Sequence, residues 1–311
     1  MSALVADLAF VVIALATAAA AVLVRDLFAG IVLFIGYGVV LALLWLRLGA
    51  VDVAMAEAAI GAGLTGVLLI GAWSRVGRLG ALAEPRAPLA GRAAAAALSG
   101  GVGLLLVVAL VALPAGEPGL GPSVMGNLDR AGVPQPVTAV LLNMRAFDTL
   151  LESIVLLAAL AAVWTLMPRD ALANPAGLRQ RAAPDGVLAA LGRLLPPLGI
   201  VVAVYLVWAG SSRPGGAFQA GTVLAAVFLL TMLAALVPAP RPASRRLALA
   251  LVGGPFVFLA VGLAGAASGT FLLLPEGLAG TLIVLIEYAL AASIAPALAM
   301  LVVGVSKEGG R

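Results

Sequence analysis

Apolar residues occur in long, nearly unbroken blocks, separated by short stretches rich in Gly, Pro, Arg and Asp. Such blocks carry no two- or four-residue rhythm of a half-buried surface element; they read as helices apolar on every side. Nine of them approach or exceed the roughly 20 residues a helix needs to cross a bilayer. They run over about 4–24, 27–47, 50–73, 93–113, 146–167, 194–210, 217–237, 247–267 and 279–303. The pattern predicts an all-α, polytopic integral membrane protein with about nine transmembrane helices. The first block lacks a basic lead-in, and Ala18–Ala21 leads straight into further spans, so it is expected to remain as a span and not to be removed as a leader.

Charge then sets the topology. Of 18 Lys and Arg residues, all but Arg47, Arg130, Arg145 and Arg213 fall on one side of a nine-span arrangement. The bias of basic residues toward cytoplasmic loops places the N-terminus outside and the C-terminus in the cytoplasm, with the cell inner (plasma) membrane as the expected location. The net charge of +4 follows from this topology and implies no nucleic-acid partner. Longer polar connections divide the chain into residues 1–80 with three spans, 93–167 with two and 194–303 with four, joined by cytoplasmic linkers at 74–92 and 168–191. No internal repeat is visible, which argues against an inverted-repeat transporter.

Composition narrows the chemistry. Of 311 residues 63% are hydrophobic and 10% charged, and there is neither Cys nor His. Thiol chemistry, disulfides and Cys- or His-based metal sites are thereby excluded. No cofactor, metal centre or catalytic residue is expected, and the chain is not read as an enzyme by itself. Transport, scaffolding and partner binding remain.

Carboxylates inside the spans are the candidate functional groups. An acid at membrane depth is disfavoured by roughly 2.5–3.5 kcal/mol on insertion scales, so it faces protein or water and marks an ion path. In the fifth span, Arg145, Asp148 and Glu152 follow at intervals of three and four and share one helical stripe, with Glu152 roughly 10 Å deeper than the arginine. A basic neighbour and burial act on an acid in opposite senses, a setting suited to proton exchange. The same spacing also serves an interfacial ion pair that anchors the helix. In the third span Asp52 and Glu57 point in different directions, and nothing on the same helix can pair with Glu57. Gly61, Gly63 and Gly66 follow, fitting either close helix packing or a local π or 3₁₀ irregularity. Between spans six and seven, Pro214-Gly215-Gly216 reads as a tight turn or as a helix start whose free N–H groups suit an anion or a carboxylate. Glu287 lies well inside the ninth span, whereas Asp7 sits near the outer surface.

At these residues the chain resembles a known set. Arg25-Asp26-Leu27 and the run from Gly49 to Gly63 are similar to the small D-type component (MbhD) of membrane-bound hydrogenases, which corresponds to the C-terminal part of the large A-type component of Mrp-type cation/proton antiporters. Arg145-Ala-Phe-Asp148-Thr-Leu-Leu-Glu152 resembles the adjoining E-type segment (MbhE). Residues 194–303, with Pro214-Gly215-Gly216-Ala217-Phe218, resemble the B-type component (MrpB/MnhB). Ser211, Ser212 and Ala217 stand where the B-type loop usually has His, Asn and Gly, so any proton role of that histidine is missing or served elsewhere.

The resemblance implies an accessory subunit of a multisubunit Na⁺/H⁺ antiporter related to the membrane arm of respiratory complex I. Its expected partners are the other subunits, membrane lipids, protons and Na⁺. Glu57, Glu152, Arg145, Asp148, Asp52 and Glu287 are the expected ion-path residues. The only lysine, Lys307, lies in the predicted tail, so the chain lacks the buried Lys of the large antiporter-like subunits and is not expected to be the complete pump. A membrane-arm subunit of an energy-converting hydrogenase and a purely structural spacer are the alternative readings.

Overall fold

The computed structural model describes residues 2–78, 88–113, 119–166, 183, 185–267, 269–275 and 277–304. Residues 79–87 of the first predicted linker, most of the second and the tail with Lys307 lie outside the described residues. Among those described, helices account for every predicted span. They are α1 (Ser2–Leu23), α2 (Leu27–Arg47), α3 (Val51–Ala56), α4 (Thr65–Arg78), α5 (Leu89–Val111), a short α6 (Gly121–Gly126) and α7 (Pro136–Ala139). Then follow α8 (Ala146–Thr165), α9 (Val187–Gly210), α10 (Ala217–Leu233), α11 (Arg245–Ala267) and α12 (Ala279–Val303). The third span is α3 and α4 joined without a break by a π-helical segment, Glu57–Leu64. Eight of the described helices are long and apolar enough to cross a membrane, and the 17-residue α10 is a shorter apolar ninth. The chain is thus a multi-pass all-helical membrane protein, as the apolar blocks predict. The helices also reach into the predicted linkers, with α4 ending at Arg78 and α9 starting at Val187.

Local chemistry explains several helix ends. Asp26 accepts a hydrogen bond from the Ala29 N–H at 2.7 Å and caps α2, so this acid within the resemblance motif has a structural task. The α2–α3 turn closes at Gly49 with φ +77°, a left-handed conformation that glycine adopts at little cost. A second π-helical segment, Val140–Met144, precedes α8 and frees the Leu141 carbonyl, which takes the Thr149 hydroxyl at 2.6 Å.

The core lies in the C-terminal half. Helix α12 packs against α10 and α11, α9 packs on α10, and α8 lies against α11 and α12. Phe258, Ile283, Ile286, Leu290, Ile294 and Met300 are fully buried there. The N-terminal helices form a second group in which α2 packs on α1 and on the whole α3–π–α4 span. Gly38 lets α2 approach the π segment closely, since a Cβ there would lie 3.2 Å from the Ala62 backbone. The two groups meet where α10 touches α3 and the π segment, and where α4 touches α12. Large apolar residues such as Leu104, Leu105 and Val155 are exposed, the distribution expected where the surroundings are lipid or protein instead of water. Helix α5 has no buried residue at all.

Helix packing this tight makes a directional prediction. A Cβ at Gly254 of α11 would fall 2.6 Å from the Ala289 carbonyl oxygen of α12, whereas one at Gly253 meets nothing within 4 Å. Gly254→Leu is expected to cost about 1–3 kcal/mol or more through overpacking, and Gly253→Leu to leave stability near wild type. Thermal unfolding of both variants in detergent checks this; equal midpoints would contradict the packing.

Candidate functional site

Asp52 is the point where all three predicted sections converge. Its Oδ1 accepts the backbone N–H of Gly215 at 2.9 Å, and its Oδ2 accepts the Gln135 Nε2–H at 2.8 Å. Its carbonyl oxygen faces the Gln219 Nε2 at 3.5 Å. A side chain at the start of α3 therefore holds the connection before α7 and the turn before α10. The turn is bound from other sides as well. The Gly216 N–H donates to the Leu206 carbonyl at 2.9 Å, the Gln135 N–H to the Ser211 carbonyl at 3.3 Å, and the buried Thr138 hydroxyl to the Gly210 carbonyl at 2.5 Å. Of the two sequence readings of Pro214-Gly215-Gly216, the carboxylate-holding one is what the structure contains, with an acid of the same chain as occupant.

The turn needs its glycines. Gly216 has φ +127°, and a Cβ there would lie 2.9 Å from Glu287 Oε1. A Cβ at Gly215 would strike the Leu206 carbonyl oxygen. Glu287 itself, near the middle of α12, is only 3% exposed. The Ala217 backbone N–H serves its carboxylate, and Asp52 is near enough for the two negative groups to act on each other. Glu287 Oε2 is buried without a hydrogen-bond partner. One turn thus presents N–H groups to two acids from different sections, Asp52 through Gly215 and Glu287 through Ala217.

Glu57 sits half-buried at the first residue of the π segment. Its carboxylate lies over Gly61 so closely that any side chain at 61 would displace it. At the end of the π segment the Ile60 carbonyl accepts both the Thr65 backbone N–H, five residues on, and the Thr65 hydroxyl, the latter at 2.8 Å. The glycines of this span accordingly serve both expected purposes: Gly61 accommodates an acid on a π turn, and Gly66 admits Ile35 of α2. Among the described residues Glu57 has no hydrogen bond or ion pair, in line with the expectation that its own helix offers it none.

Asp148 and Glu152 share one stripe of α8, as their spacing predicts, whereas Arg145 stands just before the helix with a non-helical backbone (φ −129°, ψ 34°), and all three are exposed on the outer side of this chain. Arg145 pairs with Asp148 at 2.5 Å. The opposite face of α8, with Leu150, Ser153 and Leu160, turns into the core. The six expected residues therefore fall into separate places. Asp52 and Glu287 meet at the glycine turn, Glu57 lies on the adjoining π segment, and the α8 stripe faces outward. A cavity of about 650 Å³ opens beside Arg145, lined among others by Asn127, Arg130, Asn143 and Leu273; neither Asp52 nor Glu287 borders it.

Two of the arginines on the sparsely basic side have acidic partners, Arg47 with Asp7 at 2.7 Å and Arg145 with Asp148. On the opposite side, Arg75 of α4 donates to the Val303 carbonyl at 3.0 Å, closing the C-terminal end of α12. The N-terminal group is thus fastened to the C-terminal one at both ends, by Asp52 and by Arg75. Gln135, Gln219 and Arg75 were not singled out from sequence. A Gln three residues after the turn motif was a usable signal for Gln219; Gln135 and Arg75 join partners 83 and 228 residues apart, which no local pattern marks.

Comparisons with known proteins bear on the same sections. The family model for MbhD, the D-type component of MBH, matches residues 12–78, and one described as a domain related to the MnhB subunit of Na⁺/H⁺ antiporter matches residues 187–306. The chain thus combines an MbhD-like section with an MnhB-like one. The MbhD-like section carries Asp52 and Glu57, and the MnhB-like section carries the glycine turn and Glu287. Among solved structures, a chain of the Mrp complex from Dietzia sp. superposes with a TM-score of 0.72 at 25% identity, over 97% of this chain and 35% of that one. A chain of an archaeal respiratory complex, the membrane-bound sulfane sulfur reductase, shares the fold with a TM-score of 0.54 at 23% identity, over 69% of this chain and 97% of that one. An uncharacterized protein of Methanocaldococcus jannaschii is 29% identical over 116 residues, 33% of this chain and 44% of that protein. The chain thus spans about a third of the Mrp chain and less than half of the curated relative.

The junction makes its own prediction. Asp52→Ala leaves the Gly215 N–H and the Gln135 amide without their acceptor, at a cost of about 1–3 kcal/mol. Amide hydrogen exchange across residues 213–217 is expected to speed up roughly tenfold or more, with Asp52→Asn intermediate. Unchanged exchange would contradict the clamp.

Proposed function

We propose that the chain is an accessory membrane subunit of an Mrp-type Na⁺/H⁺ antiporter. The observation that carries this reading is the superposition of 97% of the chain on one Mrp-complex chain, with the MnhB-like section holding a buried acid against an acid of the MbhD-like section. In this reading Asp52, Glu57 and Glu287 border an internal polar route. Arg145, Asp148 and Glu152 face a neighbouring subunit, because an acid at membrane depth is not left against lipid. The 93–167 section acts as the E-type connector between the D-type and B-type sections. The larger antiporter-like subunit supplies the ion exchange, and this chain carries protons or Na⁺ between it and one side of the membrane. It performs no bond chemistry of its own, and its N-terminus lies outside the cell inner membrane with the C-terminus in the cytoplasm.

A membrane arm of a redox complex is the second reading. It draws on the MbhD match and on the fold shared with the sulfane sulfur reductase chain. Purification of the native assembly separates the two: metal-cluster subunits that copurify at equal amounts favour the redox complex.

The antiporter reading is checked by proton-coupled Na⁺ transport in vesicles holding the purified whole assembly. Glu57→Gln and Glu152→Gln are each expected to lower the rate at least tenfold with equal subunit content. Wild-type transport in both variants would overturn the ion-path role and favour a structural spacer.

A further inference from the structure

Glu287 is the one buried carboxylate among the described residues, and its Oε2 has no partner. A carboxylate sealed in this way is strongly disfavoured unless a donor or a cation completes it. The Ala217 N–H is the donor that reaches the group. Around Gly216 the remaining polar atoms are acceptors: a Cβ at that position would lie 2.9 Å from Glu287 Oε1 and 3.5 Å from Gln219 Oε1. The Gln219 amide nitrogen faces the Asp52 carbonyl, and its oxygen lies on the Gly216 side with Glu287 Oε1.

The elements packed around this point bring acids and no basic side chain. Helices α10 and α12 contain neither Lys nor Arg, and the α3–π segment contributes only Asp52 and Glu57. Arg193 of α9 lies 17 residues from Gly210, roughly 25 Å along the helix, and Arg75 closes the far end of α12. Arg213, in the turn itself, is exposed and forms no ion pair with either acid. Two carboxylates, an amide oxygen and no countercharge converge on a position from which glycine keeps a side chain away.

We propose that Glu287, Gln219 and Asp52 form a binding site for one small monovalent cation, Na⁺ or a proton, seated over Gly216. Glu287 contributes the direct oxygen ligands, Gln219 its amide oxygen, and Asp52 the second negative charge while it fixes the turn. The site deepens the transport reading and rests on it only for the purpose of the cation, because binding is an equilibrium property measurable without flux.

The test uses the purified whole assembly. Thermal unfolding is followed as NaCl replaces choline chloride at constant ionic strength, and the carboxylic-acid C=O infrared band is followed as pH varies. Wild type is compared with Glu287→Gln, with Gln219→Leu in case the first variant fails to assemble, and with Asp129→Asn as an exposed control. A cation that binds only the folded assembly raises its stability with concentration. If Na⁺ is the occupant, NaCl raises the midpoint of wild type and control, leaves Glu287→Gln unmoved, and must be roughly tenfold more concentrated to act on Gln219→Leu. If the proton is the occupant, NaCl acts alike on all variants, and a titrating carboxylic-acid band of wild type is missing in Glu287→Gln and shifted in Gln219→Leu. The proposal is overturned if neither signal separates these variants from wild type. Flux insensitive to Na⁺ in the same preparation would sink the antiporter reading and leave the binding result standing.

Discussion

Backbone N–H groups and carboxylates share one difficulty inside a membrane: neither is tolerated there without a partner. The turn from Gly210 to Ala217 solves it for both at once. Its chain reversal leaves N–H groups at the start of α10 without helical acceptors, and Asp52 and Glu287 supply acceptors from two other helices. Because Asp52 also binds Gln135, this arrangement fixes the MbhD-like section, the connection before α7 and the MnhB-like section in one relation. Tight glycine contacts elsewhere, such as Gly221 against Ile294 and Gly132 against Gly280, then complete the packing around α12.

The distribution of charge separates an inside from an outside that hydrophobicity alone cannot distinguish in a membrane protein. Glu287 is buried within the chain with Asp52 half-buried close by, whereas Glu152 is exposed among the described residues. The Arg145–Asp148 pair balances the outer part of that face and leaves Glu152 one turn deeper. Helix α5, exposed along its whole length, adds a second uncovered surface.

Much of the fold was legible in the sequence because it depends on length and polarity alone. The blocks 27–47 and 279–303 coincide with α2 and α12, since apolar runs bounded by Asp26, Arg47, Gly277 and Gly304 leave little freedom at either end. The shared stripe of Asp148 and Glu152 follows from helical periodicity, though Arg145 falls outside the helix because the π segment before it ends there, and the π irregularity at Glu57–Leu64 was one of two readings of its glycines. The meeting of Asp52 with Gly215 was not legible: 163 residues separate them, and only packing brings them together. For the same reason the sequence placed all six residues on one path, whereas the structure puts three of them around the turn and the π segment and three on the outer face of α8.

The central claim is that Asp52 and Glu287 act as one unit through the glycine turn. A double-mutant cycle with Asp52→Asn and Glu287→Gln, read as the Na⁺-dependent proton exchange rate of the intact assembly, tests it most directly. The account predicts strong non-additivity, with the double variant no slower than the worse single one. Independent effects that multiply in the double variant would contradict it.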